Sequence, residues 1–201
     1  SSICFCGFAA AAYLAAAGAR VTLSDAKDEA DAEKDALTQK HIEDLRAQGI
    51  SCVFGAQREE LLAGTDLIVL SPAVPERIPL VTAARARGIR VTTEVELAGE
   101  IARAPIYAIT GTNGKTTTTT LLGELLRAHF AAVGVGGNIG VPLIDVAQEI
   151  PADGAIAAEI SSYQMEATAY FHARIVAELN VTPDHIVRHG SMEVYQAMKE
   201  K

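Results

Sequence analysis

The residues best able to do chemistry sit together at Gly111-Thr112-Asn113-Gly114-Lys115-Thr116-Thr117. Glycines at both ends let backbone N–H groups turn inward around an anion. Lys115 can reach terminal phosphates, and the Thr116 hydroxyl can ligate Mg²⁺. The apolar run from Ala104 to Ile109 precedes this segment and Thr-rich, helix-forming sequence follows it, so strand, anion-cradling turn and helix start come in the order that phosphate binding requires. The pattern implies a nucleoside triphosphate ligand. It departs from the full phosphate-loop pattern at Ile109, where a glycine is usual, and a chance Gly-Lys-Thr in a loop is the competing account.

Three later segments offer polar groups that could join such a ligand. In Gly136-Gly137-Asn138-Ile139-Gly140 the glycines permit close backbone approach, and Asn138 carries both a donor and an acceptor, although a tight turn has the same composition. Glu159 ends an apolar strand-like run and is followed by Ser161, Ser162 and Gln164. A carboxylate at a buried strand end needs a cation or donors beside it; Mg²⁺ shared by Glu159, Thr116 and phosphate oxygens meets that need. His185 stands just beyond another apolar run, placed either for the same metal-phosphate centre or for a structural role.

These groups need a scaffold, and the chain alternates short apolar runs with helix-like segments throughout. Strands are expected at Ile3 to Cys6, Ala19 to Ser24, Ser51 to Phe54, Leu67 to Leu70 and Ile89 to Thr92. Helices are expected at Ala9 to Ala17, Lys34 to Gln48 and Leu80 to Ala86. Such alternation builds a parallel sheet covered by helices, with ligands at the C-terminal strand ends. Leu97 to Arg103 reads as a connecting helix and Pro105 as a boundary. The fold class is therefore α/β, with a Rossmann-like domain over residues 1–103 and a phosphate-loop ATP-binding domain over residues 104–201. In the first domain, Gly7 and Asp25 fall about where a dinucleotide fold keeps its first glycine and its ribose-binding acid, but the glycine fingerprint is absent. The rigid loop from Ser71 and Pro72 to Pro75 suits a nucleotide wall or a bare turn.

Composition narrows the classes. Apolar residues make up 49% and charged residues 21%, and no apolar run approaches a membrane span. The net charge of −8 is spread along the chain without a basic cluster, which argues against nucleic acid as a partner. Cys4, Cys6 and Cys52 show no metal or redox spacing and read as core filler in a reducing cytoplasm. The first residues lack a secretory pattern.

Taken together, TGTNGKTT, GGNIG, EISSYQ and NVTPDHIVRHGSMEVYQAMK, with DLIVLSPAVP in the first half, resemble the Mur ligases over essentially the whole chain. The resemblance implies an ATP-dependent amide ligase of peptidoglycan synthesis that adds D-glutamate to UDP-N-acetylmuramoyl-L-alanine through an acyl phosphate. It assigns Gly111, Thr112, Asn113, Gly114, Lys115, Thr116 and Thr117 to ATP, and Thr116, Glu159, His185 and Lys199 to Mg²⁺. Lys115, His185 and Lys199 become catalytic, Lys199 as a carbamate formed with CO₂. Asn138, Ser161 and Gln164 would contact the UDP-sugar, and Asp25, Ser71 and Pro72 the uridine part. A cytoplasmic location is expected, and a monomer is favoured although the sequence leaves the oligomeric state open. Val187 replaces a usual acid, and Ala73 a usual glycine. The family's amino-acid-binding third domain is not among these residues and the central domain is expected to be incomplete, so this chain should bind UDP-sugar better than it ligates. The alternatives are another Mur ligase, a non-catalytic nucleotide-sugar module, or an NAD-dependent oxidoreductase domain built on Asp25.

Overall fold

The computed structural model describes residues 5–32 and 34–201 and divides into two compact units, Ser1–Thr92 and Thr93–Lys201. Among the described residues no helix is long and apolar enough to cross a membrane.

The first unit contains helix α1 (Phe5–Ala16), strand β1 (Thr22–Asp25), helices α2 (Glu29–Ala32) and α3 (Ala36–Ala47), strands β2 (Ser51–Phe54) and β3 (Leu67–Leu70), helix α4 (Pro79–Ala86) and strand β4 (Arg90–Thr93). Asp35 starts α3 by accepting the Thr38 N–H at 3.1 Å. The apolar face of α3 then buries Ile42 and Leu45 against Phe8, Ala11 and Ile50, with Leu23 and Phe54 packed alongside. β1 and β2 pair in parallel, and β3 pairs with β4.

The strand expected at Ile3–Cys6 lies partly outside the described residues, as does Cys4. Its described end is helical: Phe5, Cys6 and Gly7 all belong to α1. Gly7 is therefore not a strand-end turn glycine. No breaker separates Phe5 from the Ala-rich run that follows, and helix propensity carries through one glycine. Cys6 is buried in α1, and Cys52 packs against the core, where burial pushes its thiol pKa up.

The second unit opens with α5 (Glu94–Ile101), followed by β5 (Ile106–Thr110), α6 (Lys115–Arg127), β6 (Val133–Gly137), α7 (Leu143–Glu149), β7 (Ala155–Glu159), α8 (Ser162–Met165), β8 (Ile175–Glu178), α9 (Ile186–His189) and α10 (Met192–Glu200). The sheet order is β6-β7-β5-β8, with every neighbouring pair parallel. β7 is buried at every residue, and its small side chains let α6 and α7 pack close to the sheet. The register sets Ile109 and Gly137 beside Glu159, and Thr110 beside Glu178. One sheet edge thus carries the ends of all four strands, where a parallel sheet binds ligands.

The compact units part between Thr92 and Thr93, not near residue 103. Helix α5, read from sequence as a connector, packs on α7, and Glu94 Oε1 accepts the Ile144 N–H at 2.6 Å. Thr93-Glu94-Val95-Glu96 has the sequence of a capping box, and the Thr93 hydroxyl does accept the Glu96 N–H at 3.3 Å. The Glu96 carboxylate instead reaches residues 169–171, accepting N–H groups from Ala169, Tyr170 and Phe171 at 2.9–3.1 Å.

Candidate functional site

The phosphate loop connects β5 to α6 as its residue types require. Gly111 (φ 142°) and Gly114 (φ 84°) both take positive φ, and Gly114 is the N-cap of α6. A side chain at Gly111 would come within 3.2 Å of Leu179 Cβ and the Asn180 carbonyl. The first N–H groups of α6 have no intrahelical acceptor and share the positive end of the helix dipole. Lys115 Nζ donates to the carbonyls of Gly111 and Thr112, both at 3.0 Å, so its ammonium folds back over the loop. Asn113 and Thr117 are exposed.

Thr116 Oγ donates to Glu159 Oε2 at 2.8 Å, while Asn138 Nδ2 donates to Oε1 at 2.8 Å. Glu159 is only 2% exposed, so its carboxylate is held by one hydroxyl from the loop helix and one amide from the glycine segment. Asn138 also donates its backbone N–H to the Glu159 carbonyl at 2.8 Å. The glycines before Asn138 do permit a close approach. What approaches is protein backbone: a Cβ at Gly137 would lie 2.3 Å from the Glu159 carbonyl, and one at Gly136 would lie 2.6 Å from that of Val141.

Lys199, near the end of α10, is buried. Its ammonium donates to the Gly111 carbonyl at 2.8 Å and lies 4.7 Å from the centre of the Tyr195 ring. Burial holds its pKa below the ordinary lysine value, against the opposing pull of Glu178 and Asp184. His185 takes a left-handed backbone (φ 53°) ahead of α9, with its ring 4.8 Å from that of Tyr163 and 6.3 Å from that of Tyr195. Lys199 and His185 therefore flank one aromatic residue, Tyr195. Among the described residues no group of three or more histidines, cysteines or acids is arranged to hold a metal. Hard oxygen donors are nonetheless present, since Thr116 and Glu159 are adjacent and suit Mg²⁺ completed by phosphate and water.

Ser161 and Gln164 form a capping box on α8, in which the Gln164 side-chain Oε1 accepts the Ser161 N–H at 2.9 Å and its hydroxyl at 3.0 Å. The buried Gln164 Nε2 has no partner. In the first unit, Asp25 ends β1 with Oδ1 accepting the Lys27 N–H at 2.8 Å, and its carbonyl accepts the Gly55 N–H. The Ser71 carbonyl closes a turn by accepting the Val74 N–H at 2.9 Å, while the shielded Ser71 hydroxyl has no partner and Pro72 stiffens the turn.

His189 escaped the sequence reading. It is buried, with Nε2 at 3.0 Å from Ser162 Oγ and Nδ1 at 3.6 Å from Glu166 Oε1, and Glu166 in turn binds Arg188 at 2.7 Å. Burial lowers the His189 pKa, outweighing the upward pull of Glu166. An unfolded chain thus takes up a proton on this residue before the folded one does. The neutral form is common to both states above the ordinary histidine pKa of about 6.5, and stability falls as pH drops from there through the folded value. His189→Gln is expected to flatten that acid-side slope of the melting temperature; an unchanged slope would assign it to other groups.

Residues 3–93 match the Mur ligase MurD-like N-terminal domain, and residues 109–201 match the Mur ligase middle domain. The chain is 44% identical over 195 residues to the UDP-N-acetylmuramoylalanine–D-glutamate ligase of Koribacter versatilis and 43% identical over 195 residues to that of Pelotomaculum thermopropionicum. Each alignment covers 97% of this chain but 42% of the relative. Among solved structures, the fold is similar to the UDP-N-acetylmuramate:L-alanyl-γ-D-glutamyl-meso-diaminopimelate ligase of Neisseria meningitidis (TM-score 0.58, 18% identity, 98% of this chain and 63% of that one). It is also similar to the UDP-N-acetylmuramate–alanine ligase of Thermotoga maritima (TM-score 0.56, 21% identity, 98% and 44%). With both of its halves matched, this chain belongs to the Mur ligase family.

Proposed function

We propose that this chain carries the UDP-sugar-binding and ATP-binding parts of a cytoplasmic ligase that adds D-glutamate to UDP-N-acetylmuramoyl-L-alanine. The observation that supports the reading best is the Thr116–Glu159–Asn138 hydrogen-bond chain beside Lys115 and the open start of α6. The names of the relatives at 43–44% identity support D-glutamate as the amino acid.

On this reading the substrate carboxylate attacks the γ-phosphorus of ATP, ADP departs, and the acyl phosphate is attacked by the amine of D-glutamate with loss of phosphate. Phosphoryl transfer asks the protein mainly for positioning and charge neutralisation. Gly111, Thr112, Asn113, Gly114 and Thr117 shape the phosphate cradle, and Lys115 exchanges its loop carbonyls for phosphate oxygens. Thr116 and Glu159 would hold Mg²⁺, which neutralises charge on the phosphates. Lys199 is the carbamylation candidate: its burial favours the neutral amine, which would add to CO₂ with loss of a proton and could then serve as an anionic oxygen donor to Mg²⁺. His185 orients the acyl-phosphate end. Asn138, Ser161 and Gln164 are the candidates for contact with the sugar, and Asp25, Ser71 and Pro72 those for the uridine part.

The reading is tested by titrating the chain separately with MgATP and with UDP-N-acetylmuramoyl-L-alanine. Both are expected to bind, whereas binding of NADH alone would favour an oxidoreductase domain. Glu159→Gln keeps a hydrogen-bonding side chain but removes the charge. It is expected to raise the Mg²⁺ concentration needed for half-maximal ATP binding by about tenfold, equivalent to ~1.4 kcal/mol; an unchanged Mg²⁺ dependence would remove Glu159 from the metal site.

A further inference from the structure

We infer that Asn180 is a positioning residue that holds the phosphate loop in its binding shape, a role resting on the reading of that loop as a nucleotide site. Its side chain treats Asn113 as a strand would treat its partner: Oδ1 accepts the Asn113 N–H at 2.9 Å, and Nδ2 donates to the Asn113 carbonyl at 3.0 Å. The Asn180 carbonyl accepts the Thr112 N–H at 2.9 Å. Thr182 adds two bonds to the Thr112 hydroxyl, donating its N–H at 3.0 Å and accepting the O–H at 3.2 Å. The pairing of β5 with β8 ends at Thr110 and Glu178, with the Leu179 N–H on the Thr110 carbonyl, so Asn180 extends that ladder by side chain after the backbone of the loop has curved away.

This has a consequence for anion binding. The N–H groups of Thr112 and Asn113 are committed to Asn180 and cannot turn toward a phosphate without giving up those bonds. The donors left for the anion are those at the start of α6, from Gly114 onward, whose direction is set by where the preceding residues are anchored. Gly111 leaves room for this anchor, because a side chain there would meet both the N and O of Asn180 at 3.2–3.3 Å. A free loop of this glycine content would sample many conformations, and ordering it would weaken every nucleotide affinity by its entropy.

The test compares Asn180→Ala with Asn180→Asp by MgADP titration and by amide hydrogen exchange in the absence of nucleotide. The alanine variant is expected to bind MgADP about tenfold more weakly, the equivalent of ~1.4 kcal/mol, and to exchange the Asn113 and Gly114 amides at least about tenfold faster. Amides of β5 and β7 should keep their protection. Aspartate retains the acceptor for the Asn113 N–H, so its Asn113 amide is expected to stay protected. Faster exchange spread over the whole sheet would mean a merely structural residue, and wild-type values for both affinity and Asn113 exchange in the alanine variant would equally overturn the inference. If the wild-type chain failed to bind MgADP, the nucleotide reading would fall, while the exchange comparison would still decide whether Asn180 shapes the loop.

Discussion

Replacing Lys115 with alanine is expected to weaken MgATP binding by on the order of a hundredfold, about 3 kcal/mol, the upper range for hydrogen bonds that involve a charged group. The ammonium rests on the Gly111 and Thr112 carbonyls, so its removal costs the empty loop only two half-buried hydrogen bonds. Its main loss is felt when phosphate arrives and no cation is there to meet it. The melting temperature of the variant should therefore stay within a few degrees of wild type. UDP-sugar affinity should largely persist, because the uridine residues Asp25, Ser71 and Pro72 belong to the first compact unit, and in the second Asn138 rests on Glu159 and Ser161 on Gln164 rather than on Lys115. Isothermal titration with each nucleotide decides the matter. Undiminished ATP affinity would refute the phosphate-loop assignment, and parallel loss of both affinities in a folded variant would refute the placing of the uridine handle in the first unit.

Glu96→Ala is expected to be the most destabilising single change considered, by roughly 3–5 kcal/mol, without touching a ligand. The carboxylate is only 2% exposed and accepts three consecutive N–H groups, from Ala169, Tyr170 and Phe171. Alanine would strand these donors in the irregular segment between α8 and β8, which has no ladder to absorb them. Phe171 also packs on α5 so closely that a Cβ on Gly99 would lie 2.9 Å from its ring, and that contact would loosen with the loop. At about 4 °C per kcal/mol for a unit of this size, the melting temperature should fall by at least about 12 °C. Glu96→Gln, which keeps an acceptor oxygen, should recover part of the loss. A shift below about 3 °C for alanine would show that the loop finds other partners.

The phosphate loop was legible because its chemistry is local. Two positive-φ glycines, a lysine and a threonine at fixed spacing between an apolar run and a helix leave few alternatives, and the register of β5 and α6 follows from them. Most strands and helices were legible for the same reason, since period and breakers are properties of neighbouring residues. Local cues conflict at the described end of the first expected strand: Cys6 and Gly7 look like the end of an apolar strand, yet the Ala-rich run draws them into α1.

Spacing along the chain carries no information about which distant groups meet. Thr93-Glu94-Val95-Glu96 spells a capping box, but Glu96 spends its carboxylate on residues more than seventy positions away. That choice, together with the packing of α5 on α7, moves the division of the chain to Thr92 and Thr93. Asn138 suggests a ligand contact by composition, and its amide is found on Glu159. His189 and Asn180 lie within NVTPDHIVRHGSMEVYQAMK, but nothing in that segment names their partners; each becomes informative only when the fold sets it against Ser162 or Asn113. A carboxylate, an amide or an imidazole can be satisfied by any complementary group, and burial makes satisfaction compulsory without naming the partner. The partner is chosen when the chain closes on itself.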